Sequence, residues 1–366
     1  MNTSLSEMNI LQKILIQVGA IALSLLLGSL VIRIMGVSPL KAYKALYIGS
    51  LGNKNAIAET LVKTAPLILT GLAYAFAARA GLINIGAEGQ LYMGGFASTF
   101  AAVYINVLPA PLHILVSIAA GFLGGALWGL FVGWLKVRFG ANEIITTVML
   151  NYVAIYFISF LVTGPMIEPS GNYPQSSHIP ASATLPVLLP GTRLHLGIVI
   201  ALLAVVFYYL FMWRMRVGYE IRVVGKNMEA GRYAGMRPER LMLLVMMMAG
   251  GMAGIAGGCE ILGLQGRLIQ NFSPGYGFDG IAVALVGMNS PIGIIIGAFL
   301  FGLLRAGGNM MQMMARVPVA VIYIIQGLVI VFVISGQMLR INRKGKIRSL
   351  LRQTEGAGAE EEAVCE

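Results

Sequence analysis

Charge is scarce in this chain of 366 residues: only 11% are Asp, Glu, Lys or Arg, whereas 57% are hydrophobic. Soluble domains carry about 25% charged residues, so the deficit excludes a water-soluble protein folded around one apolar core. Lipid must solvate much of the surface. Cysteine is scarcer still, with Cys259 and Cys365 alone, which excludes a disulfide framework or a Cys-rich metal site. The three histidines, His113, His178 and His195, are scattered and have no HxxxH or HxxEH spacing. No catalytic set, metal centre or cofactor is therefore expected. A P-loop is missing too, because Gly225-Lys226-Asn227 and Gly345-Lys346-Ile347 lack the upstream glycine and the Ser/Thr that complete one. The chain is not expected to be an enzyme, and ATP used on its behalf must be hydrolysed elsewhere.

What is present has the length scale of a bilayer. Crossing a hydrocarbon core of roughly 30 Å takes about 20 residues of helix. The runs Ile14 to Ile32, Leu112 to Leu135, Leu196 to Trp213 and Leu241 to Cys259 contain no charge. Ten helical spans are expected, near residues 14–33, 61–79, 88–108, 112–135, 143–163, 194–213, 241–262, 276–288, 291–310 and 317–338. The first lacks a small-residue cleavage site and reads as a retained anchor.

The net charge of +11 could point to nucleic acid, but its placement points to topology. Lys136 and Arg138 follow one span, seven basic residues between Arg214 and Arg240 fill one loop, and six between Arg340 and Arg352 open the tail. The positive-inside rule makes these segments and both termini cytoplasmic, although Arg33, Lys41, Lys44, Lys54 and Lys63 then fall on or beside the first outer loop. The expected organisation is an all-α transmembrane domain over 1–338, with a cytoplasmic loop at 214–240, a proline-rich external loop at 164–193, and a disordered tail at 339–366.

Two spans depart from a plain helix. Ala80 to Gly95 holds five glycines with Asn84, Glu88 and Gln90, and Ser273 to Pro291 leaves about a dozen apolar residues between two Gly/Pro/Asn breaks. Unpaired backbone costs several kcal/mol in lipid, so such breaks are expected to face a cavity or other protein. Asn84, Glu88, Gln90, Asn151, Asp279 and Asn289 are thereby candidates for lining a solute pathway. For Glu88 two readings stand side by side, contact with a polar solute or satisfaction of local backbone N–H groups or Arg79. Glycines at i, i+4 (Gly121, Gly125, Gly129, Gly133; Gly250, Gly254, Gly258; Gly293, Gly297) predict close helix packing, inside the chain in preference to a dimer face.

In the basic loop Asn227 is placed to cap a short helix, Met228 to Ala234, stopped by Gly235 and Arg237-Pro238. A helix that short needs a docking surface, which suggests a lever seated in a cytoplasmic partner.

Three stretches, GLINIGAEGQLYMGG from Gly81, ANEIITTVMLNY from Ala141 and VVGKNMEAGRYAG from Val223, together resemble the permeases of bacterial ABC importers for simple sugars, branched-chain amino acids and nucleosides. The first two are most similar to the nucleoside-type branch. The resemblance covers about Leu61 to Gln337. It implies a permease of the bacterial cytoplasmic (inner) membrane that translocates a small polar solute, a nucleoside foremost, by alternating access. Its implied partners are a cytoplasmic ABC ATPase, a second permease subunit that is different or identical, and an external substrate-binding lipoprotein; nucleic acid is not among them. It also implies that Lys226, Asn227, Glu229, Ala230, Arg232 and Gly235 couple the chain to the ATPase, with Gly231 standing where Ala is common. A simple-sugar permease and an ion-coupled secondary transporter are the alternatives.

Overall fold

The computed structural model describes residues 10–105, 108–171, 173–318, 320–333 and 335. Among these the chain is helical, with no extended strand. In order, the helices are α1 (Ile10–Ile34), α2 (Pro39–Leu51), α3 (Lys54–Arg79), α4 (Ala87–Tyr104), α5 (Ala110–Phe139), α6 (Glu143–Thr163), α7 (Gly197–Tyr209), α8 (Arg216–Val224), α9 (Met228–Tyr233), α10 (Pro238–Glu260), α11 (Tyr276–Val286), α12 (Pro291–Ala315) and α13 (Ala320–Val333). Single π turns extend α7 through Leu210–Arg214 and α10 through Ile261–Gln265.

Each of the ten expected spans contains a helix. Six of the described helices are long and apolar enough to cross a membrane, and a seventh span results if α1 and α2 are counted together. The expected count of ten exceeds this because α4, α11 and α13 are shortened or diluted by Gly and polar residues. Two segments read as loops need correction. Residues 34–60 carry α2 and the first turns of α3, which Asn53 starts by accepting from the Ala56 N–H at 2.8 Å. The basic loop carries α8 as well as α9. In both places charged residues break the apolar run without breaking the helix. The expected tail, 339–366, lies outside the described residues.

The chain divides into two compact units. One, Met1–Lys41 with Val317–Glu366, holds α1 and α13. The other, Ala42–Arg316, holds the main bundle. Within the bundle α3 and α10 are largely buried, while α5, α6 and α7 expose rows of Leu, Phe, Tyr and Val suited to lipid.

The glycine rows explain how α10 is enclosed. A Cβ built on Gly125 would collide with the Gly250 carbonyl, one on Gly254 with that of Gly121, and one on Gly129 with that of Met246. On the adjoining side Gly94 meets Gly254, and Gly257 meets the Leu91 carbonyl. The expected close packing is therefore intramolecular, bringing the backbones of α4 and α5 against α10.

The proline-rich segment after α6 is non-helical and turn-rich among its described residues, and it is pinned to the chain after α10. Ser176 and Ile179 donate backbone N–H groups to the Leu268 and Gly266 carbonyls at 2.9 and 3.0 Å, and Leu185 does so to Leu262 at 3.0 Å. Glu168 adds an ion pair with Arg267 at 2.6 Å.

Candidate functional site

After α3 the chain runs without helix from Ala80 to Gly86, and α4 starts at Ala87. A helix beginning inside a bundle exposes N–H groups that water cannot reach. Two side chains, Asn84 and Asn151, supply acceptors. The Asn84 Oδ1 accepts from the Gly86 N–H at 2.9 Å, and its amide exchanges hydrogen bonds with that of Gln90 at 3.0 and 3.3 Å. From α6, the Asn151 Oδ1 accepts from the Gly89 N–H at 2.8 Å while its Nδ2 donates to the Ile85 carbonyl at 2.9 Å.

The half-length helix α11 begins against the start of α4. The Glu88 carboxylate, in the first turn of α4, accepts from the Gly277 N–H in the first turn of α11 at 2.6 Å. Ser273 Oγ accepts from the Gly275 and Tyr276 N–H groups at 3.2 and 3.3 Å. Two positive helix ends thus meet at one carboxylate, the arrangement that the helix dipole favours. A Cβ on Gly277 would strike the Glu88 backbone, so only glycine permits this approach. Asn84, Glu88, Gln90 and Asn151 are all between 0% and 2% exposed.

The structure therefore gathers four of the six pathway candidates around the start of α4, where Asn84 and Gln90 bond to each other and Glu88 and Asn151 to backbone. Asp279 stands one turn along α11 and pairs with Arg305 of α12 at 2.9 Å, while Arg305 also donates to the Pro274 carbonyl at 2.8 Å and lies over the Tyr276 ring. Asn289 is separate, past the far end of α11, where it holds φ 51°. Its carbonyl accepts from Arg79 Nη2 at 2.7 Å and from the Tyr208 hydroxyl at 3.1 Å. Arg79 is thus engaged at Asn289, and Glu88 at Gly277. Sequence reasoning missed Arg305 and Ser273. The signal for Arg305 was available, a single charge within the 25-residue α12.

The α8–α9 segment has the opposite character. Asn227 caps α9 by accepting from the Ala230 N–H at 3.1 Å, and Gly235, at φ 79°, ends it with its N–H on the Arg232 carbonyl. Gly231 is the buried residue of α9: a Cβ there would press the Val224 side chain of α8. This contact accounts for glycine at that position. Arg232 pairs with Glu229 at 3.5 Å and with Glu239 at the start of α10. The Glu239 carboxylate holds the Arg232 guanidinium in its charged form, above its ordinary pKa. Lys226, Asn227, Glu229, Ala230, Arg232 and Gly235 are all exposed. No cluster of His, Cys, Asp or Glu that could hold a metal exists among the described residues.

Comparison with known proteins bears on both regions. Residues 56–334 match the family described as branched-chain amino acid transport system / permease component. The chain is 38% identical to the glucose ABC transporter permease protein TsgB13 of Haloferax volcanii, over 88% of this chain and 87% of that one. It is 36% identical to the guanosine ABC transporter permease protein NupP of Bacillus subtilis, over 90% and 95%. With the nucleoside ABC transporter permease protein NupB of Lactococcus lactis it shares 34% identity over 88% and 91%. No solved structure matches the chain. The matched region takes in the α4–α11 junction and the α8–α9 segment, and the chain belongs to the branched-chain amino acid transport system permease family, as an ABC transporter permease.

Proposed function

We propose that this permease imports a nucleoside, forming half of a transmembrane pathway. The observation that carries the substrate class is its similarity, across most of both chains, to permeases named for guanosine and for nucleosides. The second reading is a simple sugar, favoured by the 38% identity to the glucose permease. Uptake of labelled guanosine, uridine and glucose by cells with and without the gene separates them. Gene-dependent guanosine uptake that excess glucose leaves unchanged supports the first; gene-dependent glucose uptake alone overturns it.

In this reading the chain lies in the cytoplasmic membrane of a bacterium, with ten spans counting the half-length ones and both termini inside. The α9 end of the bundle faces the cytoplasm, and the pinned proline-rich segment faces a substrate-binding lipoprotein. A second permease subunit completes the pore. The exposed face of α9, with Lys226, Asn227, Glu229, Ala230, Arg232 and Gly235 on it or at its ends, docks into a partner ATPase.

The α4–α11 junction frames the pathway. Glu88 ties the start of α11 to α4, Asn84, Gln90 and Asn151 brace the start of α4, Asp279 stands beside them, and Asn289 lies toward the cytoplasmic exit. Because Asn84 and Gln90 engage each other and Glu88 and Asn151 engage backbone, solute meets a preformed wall. Weak binding there suits transport, because a solute held tightly at the wall would be released slowly.

A further inference from the structure

Where α3 ends and α8 turns toward α9, Arg79, Tyr219, Arg222, Val223, Gly225 and Lys226 border a half-open cavity of ≈ 340 Å³. That is within the range of small-ligand sites. Three of its lining residues are cationic and none is acidic. Two of the cations are held in place by one aromatic ring, as the guanidinium carbons of Arg79 and Arg222 lie 5.0 and 5.9 Å from the centroid of the Trp213 indole.

The local acids do not neutralise these charges. Glu220, on the same helix as Arg222, is engaged by Arg216 at 2.9 Å, and Glu229 by Arg232. Among the described residues Arg79, Arg222 and Lys226 have no ion pair. Arg79 gives Nη2 to the Asn289 carbonyl. Arg222 makes a long bond, 3.4 Å, from Nε to the Gly218 carbonyl. Guanidinium groups with unspent N–H donors around a partly enclosed space match the oxygens of a phosphate.

We propose that this cavity is an anion site that takes a phosphate group. Gly225 forms part of its wall and packs on the carbonyl of Arg79, so closely that a Cβ would collide. A phosphate held between Arg79, Arg222 and Lys226 therefore ties the end of α3 to the turn that enters α9. It stiffens the base of the lever, independently of which solute the permease carries. The phosphate can come from an anionic phospholipid headgroup at the membrane surface or from a soluble phosphate compound.

The test uses the purified full chain in a non-ionic detergent and reads the thermal unfolding midpoint. One arm adds about 10 mM inorganic phosphate against chloride at matched ionic strength; the other adds phosphatidylglycerol against phosphatidylcholine. The expected result is a rise of about 2 °C or more in at least one arm. That rise is abolished by Arg222→Gln or Lys226→Gln and retained by Arg138→Gln at the end of α5. A rise with inorganic phosphate assigns a soluble ligand; a rise with phosphatidylglycerol alone assigns the lipid headgroup. No rise in either arm, or a rise that survives both Arg222→Gln and Lys226→Gln, overturns the proposal.

Discussion

At the α4–α11 junction the four clustered side chains are buried and engaged, with Asn84, Glu88, Gln90 and Asn151 spending their polar atoms on backbone or on one another. On α9 the residues are exposed except Gly231, and the charged groups make only surface pairs. Both regions contain a helix too short to stand alone, yet they solve the problem differently. The junction stabilises its helix ends from within, because in lipid an unmet N–H costs several kcal/mol. The α9 segment needs only a cap, a glycine contact and the two ion pairs of Arg232, because water meets the rest. The polar residues of the junction thus meet their partners inside the fold, whereas those of α9 stay exposed.

Substitutions at the junction should therefore act through stability. The largest effect is expected for Gly277→Val, whose side chain must displace the Glu88 backbone: a loss of more than about 4 kcal/mol, seen as absent monodisperse protein. Arg305→Leu strands the Asp279 carboxylate at a cost of about 3 kcal/mol, and adding Asp279→Leu should restore most of it; thermal melts of the single and double variants check this. Glu88→Ala orphans the Gly277 N–H, lowering stability by about 1–3 kcal/mol, whereas Glu88→Gln keeps an acceptor and should lose less. If Glu88→Ala instead melts like the wild type and only slows uptake, Glu88 acts on solute and the contrast between the regions weakens.

The smallest effect concerns Glu168 in the pinned segment. A hydrogen bond from Ser170, joined by Gln175 and Arg267, holds its carboxyl below the usual range. A depressed folded-state pKa means that its contribution is complete above the unfolded value of about 4.3 and fades as pH falls through the folded one. Proteolysis of the segment should therefore quicken on acidification below about pH 4.3 in the wild type. The acid-dependent change should be smaller in Arg267→Gln.

Much of this was legible in the sequence. Asn227, Gly235 and Pro238 mark the limits of α9 because caps and stops are local chemistry, and the glycine rows announced close helix contact because their spacing is periodic. The breaks at residues 80–86 and before Tyr276 were also visible as clusters of Gly, Pro and Asn. Partnership was not. Glu88 meets Gly277 from 189 residues away, and no local pattern records that the two helix starts abut. Arg305 passed unnoticed inside an apolar run, and α2 was hidden because Lys41 and Lys44 interrupt hydropathy while leaving helix propensity intact.

The most direct test of the lever is Glu229→Arg in the full transporter, reading ATP-driven uptake, ATPase association and the melting midpoint together. Glu229 is exposed, so the substitution should change stability by less than about 0.5 kcal/mol. The account predicts an unchanged midpoint with uptake reduced at least about tenfold, a loss of about 1.4 kcal/mol of coupling. Normal uptake with normal ATPase association would contradict it.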